Sequence, residues 1–137
     1  MGLVVDASIA MGWIARTQAT LLTDAALTAV AREFARVPAY FGIEMARALR
    51  NHERRNLLAS DVVDAGLAQL RALPLREDAV KTLDAVPAIV ALARRHGLRI
   101  ADAAYLELAL RTDLPLATRD VALARAASTA GVTLFKS

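Results

Sequence analysis

Leu3-Val4-Val5-Asp6-Ala7-Ser8 is the stretch that decides the reading of this chain. Three apolar residues in a row read as a short buried strand. The run stops at an aspartate, and Ala7 to Ile14 then reads as a helix. Asp6 suits the cap of that helix, because its carboxylate can accept N–H groups left free in the first turn.

The same punctuation recurs downstream. Thr17 to Arg36 reads as a second helical stretch, with Leu21, Leu22, Ala25, Ala26, Ala29 and Val30 recurring along one face. Val37-Pro38-Ala39-Tyr40 breaks it and reads as a short strand with Pro38 near its start. Helix resumes at Phe41 and runs to about Arg55. Ser60 is a candidate N-cap for a helix ending near Leu73, and Leu73-Pro74-Leu75 reads as a short strand or extended link. Asp84 is expected to open a helix that tolerates Pro87 in its first turn and closes at His96-Gly97. Asp102 begins a helix through Arg111, Leu114 to Thr118 is strand-like, and Asp120 to Ala130 is helical up to Gly131. Val132 to Phe135 reads as a final strand. Strands and helices alternate throughout, with no repeat, linker or low-complexity segment. The expectation is an α/β fold: one domain over residues 1–137, a central parallel sheet flanked by helices on both faces.

Composition narrows the chemistry. Of the 137 residues, 56% are apolar, enough for a globular core. There is no cysteine, which removes disulfides and thiolate metal sites. His52 and His96 are the only histidines, so a multi-histidine metal centre is excluded too. A bound metal must then be held mainly by oxygen, which points to Mg²⁺ or Mn²⁺. Met1 to Val5 carries no basic leader, and the apolar stretch Ala7 to Ala15 is too short to span a bilayer. A cytoplasmic protein with no membrane contact is expected. The net charge of +3 and a pI near 9.9 fit a polyanionic partner, and fit an arginine-rich composition equally well.

In a parallel α/β sheet the strand-to-helix turns lie along one edge, where ligands bind. Asp6 follows the first strand, Glu44 stands in the first turn of the helix after the second, and Asp120 lies just past the strand ending at Thr118. Topology therefore delivers three acids to one edge. Asp102 starts a helix of its own, and topology alone does not place it there. Singly, each aspartate also reads as an N-cap, Glu44 as a solvated helix residue, and Ser8 and Thr118 as polar residues near turns. The roles are compatible, since one carboxylate oxygen can cap while the other takes a cation. Two carboxylates ~4 Å apart repel by about 4 kcal/mol at an effective dielectric near 20. A divalent cation relieves this, and can both activate water and stabilise a phosphate under attack.

Four segments together resemble a known family. Val4-Val5-Asp6-Ala7-Ser8 resembles the opening motif of PIN domains, and Val37 to Leu49 the second, with Glu44 as its acid. Ala101-Asp102-Ala103-Ala104-Tyr105-Leu106-Glu107-Leu108-Ala109 resembles the third, and Leu116-Ala117-Thr118-Arg119-Asp120 the fourth. In length the chain is most similar to VapC toxins of type II toxin–antitoxin operons. The resemblance implies a Mg²⁺- or Mn²⁺-dependent endoribonuclease that cuts RNA, often tRNA or ribosomal RNA. It implies a homodimer silenced by a VapB-type antitoxin. It also implies that Asp6, Asp102 and Asp120 coordinate metal, that Glu44 acts directly or through water, and that Ser8 and Thr118 support the site. Cleavage would leave a 5′-phosphate and a 3′-hydroxyl. One position departs from the pattern: Ala101 stands where these toxins often carry tyrosine.

Glu44, Arg47, Asn51 and Arg54 are spaced three and four apart and share one helix face, flanked by Arg50 and Arg55. Arg47, Asn51 and Arg54 are candidate RNA-backbone contacts, or simply a solvated face. His52 reads as a surface or packing residue, and Trp13, Tyr40, Phe41 and Tyr105 as core or interface residues. The rival to a nuclease is a non-catalytic PIN-like module that binds RNA or protein. A phosphatase or receiver domain is disfavoured: Asp6-Ala7-Ser8 lacks the second aspartate of Asp-x-Asp, and no lysine stands where a receiver domain would need one near the last strands.

Overall fold

A computed structural model describes all 137 residues. In chain order the elements are β1 (Leu3–Val5), α1 (Ala7–Ile14), a 3-10 turn (Arg16–Gln18), α2 (Leu21–Arg32), β2 (Ala35–Val37), α3 (Phe41–Arg54), α4 (Ser60–Ala72), β3 (Leu75–Glu77), α5 (Thr82–His96), α6 (Ile100–Thr112), β4 (Leu116–Ala117) and α7 (Val121–Thr129). All strand pairs are parallel, in the order β3-β2-β1-β4.

That order fixes the layers. The chain moves outward in one direction from β1 to β2 to β3, then returns across the sheet to β4. Right-handed crossovers put α1–α4 on one face and α5–α6 on the other. Packing agrees: α1 contacts α2, α3 and α4, while α6 contacts α5, α7 and the strands β1, β2 and β4. The expected α/β sheet with helices on both faces is the fold observed. Being covered on both sides, β1 and β4 are apolar throughout, and Val4, Val5 and Leu116 are fully buried, while β2 carries the half-buried Arg36 between two buried residues. α6 lies deepest, with every residue from Ala103 to Ala109 buried. Its one charge there, Glu107, accepts two bonds from Arg111 at 2.7 and 3.0 Å, and Arg111 also grips Asp78.

The α1–α2 seam is equally tight. Trp13 Nε1 donates to the Thr23 carbonyl at 2.8 Å. Thr20 and Thr23 form a reciprocal cap at the start of α2. A Cβ on Gly12 would lie 2.5 Å from the Thr23 methyl, so glycine alone allows this approach.

Several expected boundaries move. The second helical stretch does not run from Thr17 to Arg36; it splits at Thr20, and Arg36 belongs to β2. The expected strand Val37–Tyr40 is instead Ala35–Val37. β2 lies between two partners, where Pro38 could not donate to a ladder, and the Pro38 carbonyl turns the chain by accepting the Phe41 N–H. Ser60 is the first residue of α4 and makes no cap. α5 begins at Thr82 rather than Asp84, so Pro87 falls beyond the first turn. The Leu83 carbonyl it leaves unpaired belongs to a residue 86% exposed, where water can reach it. α6 starts at Ile100, placing Asp102 inside its first turn rather than at its cap. The final strand reduces to one parallel bridge, Leu134 to Leu116.

Candidate active site

β1 and β4 are neighbours, yet α1 leaves β1 towards one face and α7 leaves β4 towards the other. Such a reversal opens a crevice at the carboxyl ends of the two strands. Asp6 lies in that crevice and is only 3% exposed. Its Oδ1 accepts the Ile9 N–H at 3.1 Å, which caps α1, and the Ser8 hydroxyl at 2.6 Å. Its Oδ2 accepts the Thr118 hydroxyl. Both hydroxyls are oriented in turn. The Arg119 N–H donates to Ser8 Oγ at 2.9 Å, and the Asp120 N–H to Thr118 Oγ1 at 3.0 Å. One carboxylate thus ties the β1–α1 turn to the β4–α7 turn, with Ser8 and Thr118 as the links. Asp120 caps α7 through Oδ1, which accepts the Leu123 N–H at 2.8 Å.

Glu44 and Asp102 arrive from opposite faces of the sheet. Glu44 sits one turn into α3, and its Oε1 accepts the Tyr105 hydroxyl. Tyr105 lies one turn beyond Asp102 on α6. The Tyr40 hydroxyl donates to the Ala101 carbonyl at 2.6 Å, and the two tyrosine rings meet edge-on with centroids 6.1 Å apart. This aromatic pair pins α3 to the first turn of α6. Asp102 accepts from Arg99 Nε at 3.1 Å. From the sequence, Tyr40 and Tyr105 read as core or interface residues, and Arg99 carries no signal of its own. The spacing Arg99–Asp102–Tyr105, three and three, was the available sign that they share a helix face.

Burial pushes the Asp6 carboxyl up to about 6, and the Asp102 charge adds to this, against the three hydrogen bonds that favour ionisation. Burial also raises Glu44, again with a contribution from Asp102, while the Tyr105 bond and the charges of Arg99 and Arg47 pull it back. Asp102 thus acts electrostatically on both Asp6 and Glu44, and the charge of Asp120 is felt at Arg99. No three acidic side chains are drawn tightly enough together to form a closed metal cage. The donor set is nonetheless all oxygen, with negative charge left under-compensated at Asp6 and Glu44. That suits a hard dication which keeps several of its own waters.

The basic stripe lies where the spacing put it. Arg47, Asn51 and Arg54 are exposed on α3, and Arg47 is near enough to act on Glu44. Arg50 is engaged instead with Glu53. His52 is structural: it faces the Ala48 carbonyl through Nδ1 and the Gln18 amide through Nε2, each at 3.0 Å.

Residues 3–128 match the family model for the PIN domain. The chain belongs to the PIN domain family. This PIN domain is 38% identical over 123 residues to Ribonuclease VapC3 of Mycobacterium tuberculosis, from both the CDC 1551 and H37Rv strains. The match covers 90% of this chain and 85% of each relative. Two crystal structures share the fold. PAE2754 from Pyrobaculum aerophilum aligns with TM-score 0.66 and 21% identity, covering 92% of this chain and 79% of that one. FitAcB from Neisseria gonorrhoeae aligns with TM-score 0.65 and 20% identity, covering 99% and 97%.

The raised Asp6 carboxyl gives this PIN domain a pH signature. The folded protein holds the Asp6 proton more tightly than the unfolded chain, so stability falls as pH rises from about 4 through about 6. The rise from 3.8 to about 6 corresponds to about 3 kcal/mol. Asp6→Asn removes the buried charge while keeping an acceptor for Ser8 and Ile9. At pH 7.5 without divalent ions, thermal melting should show Asp6→Asn more stable than wild type. The gap should close by pH 4. A gap that stays constant with pH would show that Asp6 is not held against its ionisation.

Proposed function

We propose that this PIN domain is a divalent-metal-dependent endoribonuclease, the toxin half of a type II toxin–antitoxin pair, with tRNA or ribosomal RNA as its substrate class. The observation that carries the proposal is the buried Asp6, tied through Ser8 and Thr118 to the β4–α7 turn that carries Asp120, with Asp102 acting by its charge on both Asp6 and Glu44. The likeness to proteins named Ribonuclease VapC3 supports RNA as the substrate and a VapB-type antitoxin as the regulating partner. A homodimer is the assembly that the resemblance to VapC toxins implies.

Asp6, Asp102 and Asp120 would hold Mg²⁺ or Mn²⁺, with Glu44 joining directly or through water. When bound, such an ion supplies a nucleophilic water and charge stabilisation for the phosphate under attack. The protein's own contribution is orientation. Ser8 and Thr118 fix both oxygens of Asp6, so the carboxylate is already aimed when a ligand arrives. Tyr105 fixes Glu44 in the same way, and Tyr40 holds the turn that carries Asp102. Arg47, Asn51 and Arg54 would line an RNA backbone along about 10 Å of α3, the rise of roughly seven helical residues.

Incubating the purified protein with total RNA should give discrete cuts with Mg²⁺ and none with EDTA, with 5′-phosphate and 3′-hydroxyl ends. Asp102→Asn should lower kcat/KM by more than about a hundredfold, the upper end for losing a group that only orients a metal ligand. RNA binding without cleavage under any divalent ion would favour a non-catalytic binding module instead. Arg47→Ala combined with Arg54→Ala should flatten the salt dependence of RNA binding, reducing the log–log slope by about 1.4 for two lost single-strand contacts. An unchanged slope would leave the α3 face as solvated surface.

A further inference from the structure

Arg99 stands at the cap position of α6, three residues before Asp102, with a side chain 80% exposed. Its only bond to an acid is Nε to Asp102 Oδ2 at 3.1 Å. Asp120 and Glu44 also favour its charge from a distance, while only Asp102 is in contact with it. Helix chemistry does not account for an arginine here. The free groups at a helix start are N–H donors, which a guanidinium cannot satisfy. Its positive charge also faces the positive end of the helix dipole. What Arg99 finds at this position is the acidic site.

We propose that Arg99 is an internal counter-ion exchanged for the catalytic cation: it holds Asp102 while the site carries no dication, and on cation binding it is released to grip an RNA phosphate beside the scissile bond. The inference rests on the nuclease reading above. Three considerations support the exchange. An exposed ion pair is worth only about 0–1 kcal/mol, so little opposes its rupture. A dication carries twice the charge of the guanidinium at the same carboxylates. The released guanidinium offers five N–H donors in a fork that matches phosphate oxygens, and it hangs at the rim of the crevice.

The role predicts opposite effects on two ligands, which a brace for α6 would not give. Mg²⁺ binding to the RNA-free protein is followed by calorimetry, and RNA binding and cleavage with a short single-stranded RNA. Arg99→Gln removes the competitor for Asp102, so Mg²⁺ should bind about twofold to fivefold more tightly, the equivalent of a surface ion pair. In Mg²⁺ the same variant should raise KM for the RNA severalfold and flatten its salt dependence by about 0.7, one lost phosphate contact. In EDTA, where Asp102 keeps the guanidinium, RNA affinity should match wild type within twofold. Arg99→Lys retains the charge without the fork. It should leave Mg²⁺ affinity near wild type and give an intermediate KM. Weaker or unchanged Mg²⁺ binding by Arg99→Gln at an unaltered melting temperature would overturn the exchange, as would an unchanged KM. If wild type itself neither binds Mg²⁺ nor cuts the RNA, the nuclease reading fails as well. If wild type does both and the variants do not diverge, only the role of Arg99 falls.

Discussion

Everything at the carboxyl edge of this sheet depends on a buried aspartate that is held but not neutralised. Asp6 receives three donors, two of them hydroxyls oriented by backbone N–H groups of the β4–α7 turn. Those bonds lock β1 to β4 where their helices part. They do not cancel the cost of burying the carboxylate, which stays well above its ordinary range. Evolution toward stability alone would place a neutral residue here. The uncompensated carboxylate is what the proposed cation would relieve.

The other acids are brought in by devices that cross the sheet. α3 and α6 lie on opposite faces, yet Tyr105 bonds Glu44 and Tyr40 bonds the first turn of α6. Two phenols therefore do across the layers what Ser8 and Thr118 do between the strands. α6 is held from behind as well, by the Glu107–Arg111–Asp78 ion cluster at its C-terminal half. A helix so fixed at both ends presents Asp102 without needing a loop to order first.

Much of this was legible in the sequence because the signals were local. Val4-Val5-Asp6 announced a buried strand ending in a cap, and the cap is there. Asp120 and Gly97 likewise end or begin helices as their chemistry dictates. The spacing of Glu44, Arg47, Asn51 and Arg54 gave one exposed face of α3. Failures came where tertiary context overrides local preference. Nothing local reveals that β2 is central, so the expected strand runs through Pro38 where the observed one stops at Val37. Val132–Phe135 has strand-like residues but only Leu134 finds a partner. Tyr40 and Tyr105 were read as packing, since an aromatic ring carries the same apolar signal whether or not its hydroxyl has a partner 61 residues away. Arg99 was invisible because an arginine before a helix carries no capping signal. Only the charges gathered around it give it meaning.

The most direct test of a cation site at the β1/β4 crevice is a Mn²⁺ titration of ¹⁵N-labelled protein, reading paramagnetic broadening residue by residue. At substoichiometric Mn²⁺, broadening should centre on the amides of Asp6 to Ile9, Thr118 to Leu123 and Ile100 to Ala103, and reach Glu44. Broadening centred elsewhere, or spread evenly over surface acids such as Asp61, Asp64 and Asp84, would contradict the account.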